Sequence, residues 1–208
     1  MRGSHIAIAV AIVAAVAAGS HSLHSQTPSG TPGAPNVSAV TGGTYIVDPN
    51  HTQVLFAFDH MGFTNNLGLF AGPSGSMKLD PAKPEAASVD IVFQVDGVST
   101  GVPKFNEHLL SADFFEAATY PTATFKSTSV KVDGTEAEIT GDLTIKGITK
   151  EVTLDARFTG AGGNPISKKE TVGFSADAII RRSDFGLDKY VPLVGDAIEL
   201  KITVAFEK

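Results

Sequence analysis

The residues able to do chemistry are few and scattered. The chain has no cysteine, which excludes disulfides, thiolate nucleophiles and thiolate metal ligands. Past the first 43 residues, histidine occurs only as His51, His60 and His108. No His-Glu-x-x-His or His-x-His spacing joins them. His51 and His60 differ in parity, so one regular strand would not converge them, and a zinc site would need all three brought together by the fold. No Gly-x-Ser-x-Gly elbow marks a serine nucleophile. Two polar residues are placed differently. Arg182 shares the parity of the apolar run Val172, Phe174, Ala176, Ala178 and Ile180, and His60 shares that of Val54, Phe56 and Phe58. A guanidinium at the end of an apolar face must meet an anion or stay wet. Two partners are open to Arg182: Asp184, in a pair that latches a turn, or the anionic or polar headgroup of a ligand.

The elements that hold these residues are strands. Between Ala197 and Glu207 every even position from Ile198 to Phe206 is apolar, and the intervening ones are mostly polar. Side chains of a strand alternate between faces, so this segment has one dry side and one wet side. The same alternation runs through Thr52 to His60, Ser88 to Asp96, Glu136 to Lys146, Glu151 to Phe158 and Thr171 to Arg182. Thr122 to Val132 carries Ala123 and Phe125, then shifts phase to Val130 and Val132, which predicts a bulge. Asn66 to Leu79 is rich in glycine and its parity is unclear. With a lead-in at Thr44 to Asp48, eight main strands are expected. Asp133-Gly134, Lys146-Gly147 and Gly160 to Asn164 read as turns between antiparallel neighbours. Val102 to Tyr120 is the exception, with the spacing of one or two short helices or turns over an open end and with Ser111 and Asp113 as candidate caps.

Eight antiparallel strands with one apolar face form a two-sheet sandwich or a closed barrel. Ala123, Ala137, Gly141, Ala156, Ala176 and Ala178 lie on the dry face. They either interdigitate with larger neighbours in a solid core or leave volume for a ligand. The 208-residue chain carries 16 basic and 22 acidic side chains, a net charge of -6, which argues against a nucleic-acid partner.

Residues 1–25 read as a secretory signal peptide: Arg2, an apolar run from Ile6 to Ala18, then small residues. Residues 26–43, rich in Ser, Thr, Pro and Gly, read as a flexible linker. Residues 44–208 form one domain, and the protein is expected in the periplasm or outside the cell.

Four ordered blocks carry a family resemblance: Tyr45-Ile46-Val47-Asp48-Pro49 through His60-Met61-Gly62-Phe63, then His108-Leu109-Leu110-Ser111-Ala112-Asp113-Phe114-Phe115 with Tyr120-Pro121, then Gly141-Asp142-Leu143-Thr144-Ile145-Lys146-Gly147, and last Arg182-Ser183-Asp184-Phe185-Gly186. From about Gly43 to Lys208 the chain resembles the YceI-like family. Lys104 and Asn106 stand where that family more often has Arg and Asp. The resemblance implies an all-β fold, an eight-stranded antiparallel lipocalin-like β-barrel with a short helical segment between strands. It implies an exported binding protein rather than an enzyme, holding a long isoprenoid, quinone or similar amphiphilic chain without covalent attachment and with no other cofactor; the alternatives are an enzyme acting on such a headgroup and a ligand-free, stress-related structural module with a filled barrel. Carried onto this chain, the tail would contact Phe56, Phe58, Phe93, Phe125, Ile139, Phe174 and Ile180. The headgroup would meet His60, Arg182 and Asp184, and Phe105, His108, Phe114 and Phe115 would gate the opening. Transient membrane contact and a homodimer are left open.

Overall fold

The computed structural model describes residues 30–208; the expected export signal and the first residues of the linker lie outside them. Ten strands and one α-helix follow in chain order: β1 (Gly43–Val47), β2 (Gln53–His60), β3 (Thr64–Ala71), β4 (Ser74–Leu79), β5 (Ser88–Gln94), α1 (Pro103–Leu110), β6 (Thr122–Asp133), β7 (Glu136–Ile145), β8 (Ile148–Gly163), β9 (Glu170–Arg181) and β10 (Ala197–Glu207). All pairings are antiparallel, and the sheet closes because β10 pairs with β9 on one side and with both β1 and β2 on the other. β1 and β2 act as one long stave, broken by the turn between them, and β3 and β4 form a second stave beside them. The result is the expected eight-stave barrel, built from ten strands. The glycine-rich stretch of unclear parity is the β3–β4 stave, interrupted at Gly72-Pro73 because proline cannot donate to a ladder.

Two bulges reset the phase. One lies between Ser127 and Ser129 in β6, where the parity shift predicts it. The other, between Phe158 and Gly160 in β8, is not visible in the alternation. It corrects one turn assignment: Gly160 to Asn164 is not a turn, since β8 runs on to Gly163. Those glycines serve a close crossing. A Cβ on Gly162 would lie 2.1 Å from the carbonyl oxygen of Pro32, and one on Gly160 would lie 3.1 Å from that of Ala34. Ala34 pairs with Ala161, so the second half of the expected flexible linker is seated across one end of the barrel. The other hairpin turns stand as read. Lys146 and Gly147 both have positive φ (50° and 73°), the geometry a two-residue hairpin turn requires.

That end is closed. Tyr45, Val47, Met77, Ile91, Ala161, Val172 and Phe206 form a buried cluster, with Ala39 and Val40 packed on it. Tyr45 is fully buried. Its hydroxyl reaches the backbone oxygen of Thr41 and a carboxylate oxygen of Glu170, the latter at 2.5 Å. Glu170 also accepts from the Thr41 N–H at 2.8 Å and the Thr41 hydroxyl at 2.6 Å. Lys208 sits over the Tyr45 ring, its ammonium 4.9 Å from the centroid. Burial and the neighbouring carboxylate push the Tyr45 hydroxyl up to about 12. Burial alone would raise Glu170, but the hydrogen bonds from Thr41 and Tyr45 outweigh it and hold the carboxyl at about 2.

Glu170→Gln should destabilise the domain by about 1.5–3 kcal/mol at neutral pH, the scale of hydrogen bonds to a charged acceptor. Because the folded value lies below the ordinary 4.5, the wild-type contribution is complete above that pH and is lost as pH falls towards about 2. Denaturant midpoints taken from about pH 6 down to about pH 2 should therefore fall more steeply for wild type than for the variant. Parallel curves would show that Glu170 makes no pH-linked contribution.

Candidate functional site: an apolar cavity with one guarded mouth

Inside the barrel is a cavity of about 500 Å³, within the roughly 300–1,000 Å³ of small-molecule sites. Its wall is almost wholly apolar. Phe56, Phe58, Phe93, Phe125, Ile139, Phe174 and Ile180, the residues expected to meet a ligand tail, all line it. The small residues Ala123, Ala156 and Ala176 line it too, so the dry face encloses space rather than a solid core. Phe206 and Met77 floor the cavity against the closed end.

The opposite end is the mouth. Residues that both line the cavity and meet solvent sit here: Tyr190 is 47% exposed and the His108 side chain 41% exposed. Beneath them lies an aromatic neck, where Phe56, Val98 and Leu109 are buried and Phe58, Phe70, Phe105, Phe114 and Phe115 pack around them. The helical segment makes this lid. Pro103 starts α1, where its missing N–H costs nothing. Asn106 Oδ1 accepts from both the N–H and the hydroxyl of Thr100, at 2.8 and 2.7 Å, tying the helix to the strand exit. Ser111 is the cap at the helix end, its hydroxyl donating to the His108 carbonyl at 2.7 Å. Asp113 does not cap the helix. It joins His108 Nε2 at 3.3 Å and Lys189 Nζ at 3.1 Å, and those two partners hold its carboxyl below the ordinary range. The lid is thereby latched to the loop 187–195, where Tyr190 packs near His108 and Phe114.

That loop is organised by Arg182, which is 6% exposed. Its Nε donates to the Gly195 carbonyl at 2.8 Å, Nη2 to Val194 at 2.8 Å, and Nη1 to Lys189 at 3.0 Å and to Leu187. Four of its five N–H donors are thus committed to backbone carbonyls. Burial lowers its pKa, and the nearby carboxylates of Asp196 and Asp188 oppose that. Two expectations are corrected. Asp184 is exposed, does not line the cavity and makes no pair with Arg182. The carboxylate that serves the turn is Asp196, which accepts from the Ser183 N–H and hydroxyl, each at 2.9 Å. Arg182 does line the cavity, but as a clamp on the loop and not as a free cation awaiting a headgroup. Gly186 (φ 70°) completes the turn in the left-handed conformation.

His60 lines the mouth at the end of β2, its backbone bridged to Val194. His51 lies elsewhere, exposed and 2.6 Å from Asp48. Among the described residues no group of three His, Asp or Glu side chains is placed to hold a metal. Sequence reasoning missed Asn66, Phe70 and Tyr190, all in the lining. Phe70 and Asn66 fall in the glycine-rich stretch where parity was unreadable, and Tyr190 lies in a loop with no periodic signal.

Arg182→Ala should cost about 3 kcal/mol or more in urea unfolding, because it strips the donors from four carbonyls and leaves a void. Arg182→Lys should recover little, since an ammonium cannot reproduce the fork. Unchanged stability with only ligand uptake altered would instead assign Arg182 to a headgroup.

The family model for the YceI-like domain matches residues 45–206. Protein YceI of Escherichia coli O157:H7 is 39% identical over 171 residues, covering 81% of this chain and 89% of its own. The crystal structure of Burkholderia cenocepacia BcnA superposes with a TM-score of 0.69 at 29% identity, over 76% of this chain and 98% of that one. A polyisoprenoid binding domain from Saccharophagus degradans, implicated in plant cell wall breakdown, shares the fold with a TM-score of 0.58 at 16% identity, over 78% and 97% of the two chains. With four motifs in order, a matched domain model and a close relative over most of its length, this chain belongs to the YceI-like family.

Proposed function

We propose that the protein is an exported carrier or store for an amphiphile, holding its isoprenoid, quinone-type or similar apolar tail in the barrel. The single observation that carries this reading is the cavity of about 500 Å³, closed at one end and walled by alternate apolar residues. Membership of the YceI-like family supports it, as does the shared fold of a polyisoprenoid binding domain. Both favour binding over catalysis. The headgroup would stay at the mouth, near His60, Asn66, His108 and Tyr190. Each methylene moved from water into the cavity is worth about 0.8 kcal/mol. A bilayer offers the tail a similar gain, so the net preference for the protein is small, which suits transfer better than sequestration.

The rim of the mouth supports loading at a membrane. Phe63, at the β2–β3 turn, is 84% exposed and Leu193, in the clamped loop, is 64% exposed. Met61, Tyr190 and Val191 are exposed beside them. Residues 61–63 and 190–193 contain no charged side chain.

Native mass spectrometry of protein taken from a membrane-containing lysate should show an added mass of lipid size. A bare chain under those conditions argues for a filled or ligand-free barrel. Ala176→Phe, at a buried lining position, should sharply reduce that adduct while the fold persists. A destabilisation of about 1–3 kcal/mol with no adduct in either protein would mark an overpacked solid core instead. Separately, Phe63→Ser combined with Leu193→Ser should cut pelleting with phosphatidylcholine vesicles severalfold and leave the thermal midpoint unchanged. Equal pelleting would remove the membrane-loading proposal.

A further inference from the structure

Glycine inside a strand weakens it unless something needs the missing side chain. Gly68 lies within β3, directly opposite Phe56 of β2. Its φ is not positive, so the backbone does not require glycine there. The need comes from a side chain. A Cβ built on Gly68 would lie 2.0 Å from Phe56 Cζ, 2.5 Å from Cε1 and 2.7 Å from Cε2. The far end of the Phe56 ring is therefore parked on the bare backbone of the neighbouring strand.

The position of that ring matters because Phe56 sits in the neck. It stacks on Phe58 (centroids 6.4 Å, interplanar 14°) and contacts Phe70 (5.6 Å), with Leu109 of the lid in the same cluster. A methyl group on Gly68 would evict the ring. The sheet blocks movement outwards and Phe58 and Phe70 flank it, so the open direction is the lumen. Gly141 plays a similar part for Phe125, with a Cβ position 2.6 Å from Cζ, but there the carbonyl oxygen of Lys126 is equally close. Close strand approach alone would explain glycine at 141, which makes Gly68 the informative position.

We propose that Gly68 is the bore-determining residue of the cavity: by letting Phe56 lie against the wall, it keeps the neck wide enough for a single linear isoprenoid or alkyl chain to pass. This rests on the lipid-binding reading above and names the residue that sets the width of that same site.

The test uses the full domain and one probe, geranylgeraniol, a linear prenyl alcohol, with binding followed by displacement of an apolar fluorophore and folding followed by circular dichroism. Gly68→Ala should bind the probe at least tenfold more weakly than wild type while remaining folded. Gly68→Ala combined with Phe56→Leu should restore binding to within about threefold, because leucine has no ring tip to displace. A purely structural glycine would show no such rescue. Wild-type affinity in Gly68→Ala, or a loss that persists in the double variant, overturns the inference while leaving lipid binding intact. No binding by wild type would remove the lipid-binding reading and this inference with it. Should Gly68→Ala fail to fold, the double variant decides: a folded protein that binds within about threefold of wild type supports a ring that competes with the added methyl group, and failure to fold or weaker binding overturns it.

Discussion

The seam along β10 is the constraint from which the rest follows. A sheet edge left open exposes a row of unpaired N–H and C=O groups, and here one strand closes it by pairing with two. Phe206 faces Val47, whereas Thr203 faces Gln53. The chain thus advances six residues on one side and three on the other, and the surplus is the turn between β1 and β2. Thr52 repairs the ladder across that gap: its buried hydroxyl accepts from the Ala205 N–H at 3.2 Å. Once the seam is shut, period two leaves no freedom. Every second residue of eight staves points inwards, and the phase of each strand decides which side chains define the lumen.

A closed barrel with an unfilled middle lacks the packing that normally stabilises a core, since each unfilled volume forfeits contacts. The polar commitments of this chain lie at the two ends, where that loss can be offset. At the closed end Tyr45, Glu170, Thr41 and Lys208 tie the first strand to the last residue and to β9. At the mouth Arg182 gathers residues 187–195 by four carbonyls. Both groups keep the staves in place around an interior that contributes less than a solid one would. A buried arginine is usually read as a binding cation; the carbonyls around it show that a charge with a polar cradle can be a fastening.

Parity made most of the wall legible. The phases of β2, β5, β7, β9 and β10 were readable because apolar and polar residues alternate without a gap, and the β6 bulge was readable because the alternation visibly slips between Phe125 and Val130. The failures share a cause. Glycine carries no hydropathy, so Gly68, Gly72 and Gly75 hid the phase of β3 and β4, and Gly160 and Gly162 looked like a turn when they accommodate the crossing of Pro32 and Ala34. The role of Arg182 was invisible for a different reason. Its partners are backbone carbonyls of a loop without periodicity, and sequence proximity pointed to Asp184, which faces solvent. Spacing along a chain identifies side-chain partners poorly where the backbone can supply the acceptors.

The arrangement of the mouth bears on how a ligand could exchange. The lid is held to the clamped loop by Asp113 with Lys189, and Asp113 also meets His108 within the lid; both contacts are substantially exposed. Exposed ion pairs contribute little, because solvent and salt screen them. By contrast, the loop they grip is anchored by a buried guanidinium. The loop side is therefore strongly held, and on the lid side the exposed latch adds little to the apolar packing of Phe105, Leu109, Phe114 and Phe115 in the neck. In the proposed carrier role the tail is dry both in the cavity and in a bilayer, the difference in free energy between the two is small, and the barrier at the mouth would govern transfer. That barrier would then rest on the aromatic neck, whose proposed bore depends on one missing methyl group, more than on the exposed latch.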